Sequence, residues 1–275
     1  VASKQRARRD RNEKVLRAVQ PNAGIEAALR QKLTVLIDEM ANSVQYWTTA
    51  AYRQNELEVV ALAEDETPAS ALLKTVRALR RRWLKRFDVA AEKLADYFST
   101  AIKDRSDAVL KKILKDGGFV IEWKMTPAMR DVMQASIGEQ VGLIKSIPEK
   151  YFTQVEGAVM RSVQTGRDLK QLTDDLQNIG GVTRRRAAFI ARDQNNKATA
   201  TMKRTRELEA GIDENEWRHS GGGNHPRPTH LKAGQDRVRF KVSDGWEDPA
   251  LKKKIWPGTE PNCRCFGRPV LKGFS

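Results

Sequence analysis

The sequence predicts a mainly α protein: an elongated helical region containing a long antiparallel helix hairpin, followed by a small α+β, loop-rich C-terminal module. Three observations point there. Apolar residues recur at steps of three and four over two long stretches, the spacing that holds a stripe on one helix face. Proline and glycine punctuate the chain where helices should start or stop. Beyond Gly211 the periodicity disappears, and all three histidines (His219, His225, His230) and both cysteines (Cys263, Cys265) fall between Glu216 and Val270.

The elements follow in order. Residues 1–20 form a basic arm carrying Arg6, Arg8, Arg9 and Arg11, expected to be helical or disordered until it meets an anion. Residues 21–125 form the hairpin. Its first helix opens at Pro21-Asn22, with Ile25, Leu29, Leu33, Leu36, Met40, Val44 and Trp47 as its stripe, and continues to about Ala63. After an acidic turn, Thr67 caps a second helix with Pro68 at its first position, where a missing N–H costs nothing. Its stripe is Leu72, Val76, Leu79, Trp83, Phe87, Ala90, Leu94 and Phe98, with Arg80, Arg81 and Arg82 off it in a basic girdle. Gly117-Gly118 ends this helix, and Phe119–Met125 reads as a short strand or extended linker. Residues 126–212 form a helical bundle region of four helices. The first runs from a Thr126 cap to about Ser146 and the second from about Glu149 to Gln164, separated by Ile147-Pro148. A short one capped by Asp168 ends at Gly180-Gly181, and a last one is capped by Thr183 and ends at Gly211. This places Arg184, Arg185 and Arg186 in a first helical turn, unfavourable against the helix dipole, and so suggests an anion contact. Residues 213–275 form the C-terminal module.

Composition bounds the function. The formal net charge of +15 favours a polyanion or an acidic protein surface as partner. No apolar run reaches the roughly 18 residues of a membrane span, no signal-peptide pattern is present, and cytoplasmic folding is expected. The chain begins at Val1 without an initiator Met, so residues beyond either end are allowed for. Zinc-finger spacing, a recognition-helix signature and a complete metallohydrolase motif are all lacking.

The module offers two histidines and two cysteines, the donor set of tetrahedral zinc. Four residues separate His225 from His230, one separates Cys263 from Cys265, and 32 residues link the pairs. The competing reading makes the histidines loop residues bonded to backbone and the cysteines small buried hydrophobes. A small unit rich in glycine needs a staple, which favours metal. Cysteines one residue apart do not readily bridge each other.

The run of IARDQ (Ile190–Gln194), EWRHS (Glu216–Ser220), the Pro-rich turn ending in Thr229-His230, and Pro261-Asn262-Cys263-Arg264-Cys265 resembles the phage Mu F-like minor head, or head morphogenesis, proteins. The likeness extends over residues 126–270, through Leu143–Gly157. Many members of that family resemble each other in a Cys-Pro-x-Cys where this chain has Arg227-Pro228-Thr229-His230. His230 then takes the place of the second cysteine, Arg227 replaces the first, and His225 or His219 would supply the missing zinc ligand. The resemblance implies a structural, non-enzymatic, low-copy virion protein inside the capsid near the portal vertex, and in the host cytoplasm during assembly. Its implied partners are portal protein, major capsid protein and double-stranded DNA, the last bound by sequence-blind electrostatics. Two alternatives stand beside it. One is a metal-dependent nuclease or hydrolase using the histidines beside Gly221-Gly222-Gly223, with Asp236, Asp244, Glu247 and Asp248 nearby. The other is a scaffold-like factor that does not remain in the particle.

Overall fold

The computed structural model describes residues 13–58, 68–165, 168–223 and 225–272. Among them are five helices and six strands. The helices are α1 (Ala23–Glu58), α2 (Pro68–Asp116), α3 (Pro127–Gln164), α4 (Leu169–Glu209) and α5 (Pro228–Gln235). The strands are β1 (Glu13–Val15), β2 (Glu214–Arg218), β3 (Arg239–Lys241), β4 (Trp246–Asp248), β5 (Lys253–Ile255) and β6 (Phe266–Lys272). The protein is mainly α, with long helices followed by a small strand-containing region, as the sequence predicts. No helix among the described residues is long and apolar enough to cross a membrane.

The chain divides into two units, each built from discontinuous segments. One takes its described residues from 1–22, 99–134 and 193–275, the other from 23–98 and 135–192. In the second unit α1 and α2 pair antiparallel. Trp83 donates its indole N–H to Ser43 Oγ (3.4 Å), Arg86 pairs with Glu39, and Lys32 Nζ lies 5.9 Å over the Tyr97 ring, so α1 descends as α2 rises. The α1 stripe is turned slightly from the predicted one. Leu29, Leu33, Ile37, Met40, Val44, Thr48 and Tyr52 are buried, while Trp47 is 49% exposed. On α2, Ala91 and Ala95 are buried, with Ala90 and Leu94 only half-buried. Where two helices approach closely, a methyl group fits the seam and a larger side chain is turned to its edge.

Two predicted helix breaks do not occur. Pro148 lies inside α3. An interior proline costs about 3 kcal/mol; here the buried Ile144, Ile147, Tyr151, Phe152 and Val155 flank it, and each fully buried apolar side chain returns about 1.5–3 kcal/mol. Gly180 and Gly181 lie inside α4, which packs through Leu172, Leu176, Ala187, Ile190 and Ala191. Asp168 does cap this helix, accepting from the Gln171 N–H (3.0 Å), but the helix it opens runs on to Glu209. Arg184, Arg185 and Arg186 therefore sit mid-helix, and the dipole reason for an anion contact there lapses. Arg184 pairs with Asp38 (2.7 Å), Arg186 donates to Ser146 Oγ (3.0 Å), and Arg185 is exposed.

The first unit holds a four-stranded antiparallel sheet in the order β1-β6-β2-β3. Part of the predicted basic arm is thus a strand: Glu13 faces Lys272 and Val15 faces Val270. Leu16 and Val19 follow it into a core with Leu110, Ile113, Leu114, Ile212 and Leu271. Residues 119–126 are an extended linker rather than a strand, with Phe119, Ile121 and Trp123 packed against this core. Both adjoining helices end as glycine predicts. At Gly118 (φ +99°) the Phe119 N–H donates to Leu114 O (2.9 Å), and at Gly211 (φ +70°) the Ile212 N–H donates to Glu207 O (2.8 Å).

Candidate functional site

The site lies in the C-terminal part of the first unit. Pro228 begins α5, where the sequence suggested only a turn; the fixed φ of proline suits a first helical position. One turn of this helix puts His230 and Ala233 on the buried face. Gly234 lets α5 come against the strand end that follows β2: a Cβ there would lie 2.6 Å from the His219 backbone nitrogen. Gly234→Ala is expected to destabilise the protein by about 1–3 kcal/mol, read as a lowered thermal midpoint, because the overpacking exceeds the helix-propensity gain of roughly 1 kcal/mol.

Opposite α5, residues 261–265 form a tight loop with Asn262 at φ +58°. Helix α4 holds this loop by its backbone. Asp193 Oδ1 accepts from the Asn262 N–H (2.6 Å), and Asn196 donates its Nδ2 to Cys263 O (3.1 Å). The distant IARDQ and PNCRC motifs thus meet in space.

His230, Cys263 and Cys265 converge, all buried. His230 Nδ1 lies 3.5 Å from Cys263 Sγ and 3.9 Å from Cys265 Sγ, and the three ligand atoms are within 4.8 Å of one another. On the other side of the ring, Nε2 is 3.2 Å from Asp248 Oδ2, not aligned for a hydrogen bond. Asp248 is fully buried. Burial would raise its pKa, but the Ala250 N–H (2.8 Å), the Thr229 hydroxyl (3.1 Å), the Leu251 N–H and the adjacent His230 hold it below the usual carboxylate value. Trp217, completely buried, packs edge-on to His230 at 5.1 Å. The Cys263 thiol is driven toward thiolate, chiefly by a hydrogen bond from Cys265 and further by His230, against the effect of burial. The same contact and burial drive Cys265 upward, offset in part by N–H groups of Trp217 and Ser220 turned toward its sulfur.

Three of the four predicted ligands therefore come together. His225 is exposed, and it shares with His219 a pocket of about 490 Å³ whose lining includes His230, Cys263 and Cys265. Neither belongs to the ligand group. Arg227 donates to Pro261 O (3.0 Å) and ties the start of α5 to the cysteine loop. Asp248 was named in the sequence only among nearby acids; three-dimensional pairing with His230 distinguishes it. Asp236 pairs instead with Lys232 (2.6 Å), and Asp244 accepts from Ser243 (2.8 Å). Of the predicted anion-binding residues, Arg6, Arg8, Arg9 and Arg11 lie outside the described residues. Arg80 is half-buried against Glu156 (3.2 Å), and Arg81 and Arg82 are exposed.

Comparison with known proteins gives two likenesses. An uncharacterised protein of Haemophilus influenzae is 31% identical over 173 residues, covering 63% of this chain and 35% of that protein. The chain thus spans about a third of the length of the curated relative it matches. No solved structure matches. Residues 153–267 match the family model described as Phage Mu protein F like protein. That match takes in both motifs that build the site, Ile190–Gln194 on α4 and the Pro261–Cys265 loop, and through this region the chain is similar to the phage Mu F-like, head morphogenesis proteins.

Proposed function

We propose that this protein is a minor structural component of a tailed-phage head, located inside the capsid near the portal vertex, where it aids assembly and contacts packaged DNA. The observation that carries this reading is the family match across residues 153–267. The net charge of +15 and the exposed run of Arg81, Arg82, Lys85 and Arg86 on α2 support a phosphate-facing role. Such contacts neutralise phosphates without reading bases. Portal and major capsid proteins are the proposed protein partners.

Quantitative mass spectrometry of purified mature particles, with portal protein as the internal ratio, tests the location. A low, definite copy number supports it; presence only in assembly intermediates replaces it with a scaffold-like role. DNA affinity should fall steeply as salt is raised from 50 to 200 mM, roughly 10³-fold for about six phosphate contacts. Salt-independent binding would contradict the electrostatic reading. Substituting Arg81 and Arg82 together by Ala should flatten the salt slope by about two contacts without altering sequence preference.

A further inference from the structure

The His230–Cys263–Cys265 cluster holds more polar demand than a packed core can satisfy. Two sulfurs, hydrogen-bonded to each other, both face a single imidazole nitrogen. Nε2 of His230, buried, lacks a hydrogen-bond partner, and the buried Trp217 indole N–H has only the Cys265 sulfur to face. A fully buried carboxylate, Asp248, sits against the far side of the same ring, itself anchored by the Thr229 hydroxyl and the Ala250 N–H. Buried polar groups left so in a neutral core are costly.

We infer that His230 Nδ1, Cys263 Sγ and Cys265 Sγ are the three protein ligands of a zinc-class ion whose fourth coordination position faces the adjacent pocket. The inference rests on the cluster's geometry and not on the virion reading. Tetrahedral zinc with Zn–N near 2.0–2.1 Å and Zn–S near 2.3 Å sets N-to-S edges of about 3.6 Å. The separations here, 3.5 and 3.9 Å, bracket that edge before any ion draws the ligands in. Two thiolates and one imidazole are soft donors that select zinc over magnesium or calcium. Two thiolates also balance the charge of the ion. Asp248 lies 3.2 Å from the nitrogen that would not ligate, placed to accept its N–H once the ring is drawn to the ion. The Trp217 N–H then finds its partner in a metal-bound thiolate sulfur, the group it is turned toward.

The fourth position is open because the two remaining histidines lie in the pocket and outside the ligand group. His219 already engages its Nδ1, which accepts from the Gly221 N–H (3.1 Å). Residues 219, 220, 222 and 223 form one side of this pocket of about 490 Å³, with His225, Arg227 and Arg264 on others, so the fourth position would face a space large enough for water or an exogenous anion. A site with three protein ligands and an open position is the arrangement that lets bound water or a ligand exchange, unlike a closed structural site.

The test uses the full chain. Purified protein should carry one zinc per molecule by elemental analysis. Replacing the zinc with Co²⁺ should give a thiolate-to-cobalt charge-transfer band and the visible bands of tetrahedral coordination. Cys263→Ser and Cys265→Ser should each abolish the charge-transfer spectrum or reduce it severely. Asp248→Asn should keep one-to-one binding at saturating metal but weaken it about 10–100-fold. His219→Ala and His225→Ala should retain stoichiometric metal, and added azide or cyanide should perturb the cobalt spectrum. Loss of metal in His225→Ala as complete as in Cys263→Ser would overturn the open position in favour of a fourth protein ligand. Wild-type protein that binds neither ion, with Cys263 alone alkylated by iodoacetamide, would overturn the metal and mark a nucleophilic thiol instead. If the serine variants fail to fold, the wild-type cobalt spectrum and its competition by a chelator still decide the question.

Discussion

Asp107→Ala is expected to destabilise the first unit by about 3–5 kcal/mol, the range for removing one partner from a buried ion pair. Arg206 and Asp107 form a fork: Nε donates to Oδ1 at 2.7 Å and Nη2 to Oδ2 at 2.8 Å. Arg206 is 2% exposed and Asp107 is 9% exposed. The guanidinium further donates to Lys124 O (2.8 Å) and Glu209 (2.7 Å) and lies 5.0 Å over the Trp123 ring. Three separate stretches, α2, the linker before α3, and the end of α4, thus meet on one cation. Burial opposes its charge, but the hydrogen bonds and charges of Asp107 and Glu209 hold the guanidinium pKa above its ordinary value. Removing Asp107 takes away both bonds of the fork and leaves Glu209, itself partly exposed, as the guanidinium's remaining carboxylate. Urea denaturation followed by circular dichroism reads the loss. Asp107→Asn, which preserves shape and one acceptor, should fall between wild type and Asp107→Ala. Arg206→Met combined with Asp107→Leu should recover part of the loss, since it removes both buried charges and leaves only the partly exposed Glu209 without its partner. An Asp107→Ala effect below about 1 kcal/mol would place the pair in the weak class of surface salt bridges.

Trp217→Ala is expected to cost about 3–5 kcal/mol, the range for truncating a large buried aromatic. Trp217 is the largest fully buried side chain of the described residues. It stands on β2 between three rings: His230 at 5.1 Å, Trp246 at 5.0 Å and Phe240 at 6.1 Å. Ala233, Ile255, Cys263 and Cys265 close the same cluster. Its removal opens a cavity against α5 and both cysteines, so amide exchange should accelerate in β2, β6 and α5 together. Trp217→Phe should cost clearly less, because most of the volume remains. Rapid exchange confined to β2 alone would show that this residue does not tie the helix and the cysteine loop together.

Much of the architecture is legible in the chain. The helix stripes at Leu29, Leu33, Met40 and Val44 and at Leu72, Val76, Leu79, Trp83 and Phe87 follow from local spacing, and the stops at Gly117-Gly118 and Gly211 from the left-handed conformation glycine permits. Breaks at Pro148 and at Gly180-Gly181 were expected from the same local rules and do not occur, because burial on both sides of each outweighs the local cost. β1 was hidden because residues 13–15 carry no strand signal of their own; their pairing is to β6, more than 250 positions away.

The candidate site divides in the same way. By itself the sequence determined which residues are chemically able to ligate, since the histidines and cysteines are few and confined to one module. It also carried the motif order that marks the family. Only the tertiary structure decided that, among the described residues, His230 joins the cysteines while His225 does not, that Asp248 lies behind the ring, and that α4 supplies the backbone anchors through Asp193 and Asn196. The reason is physical: residue type and spacing are local properties, whereas a ligand set and its supporting carboxylate depend on contacts between segments whose approach is set by helix and sheet packing.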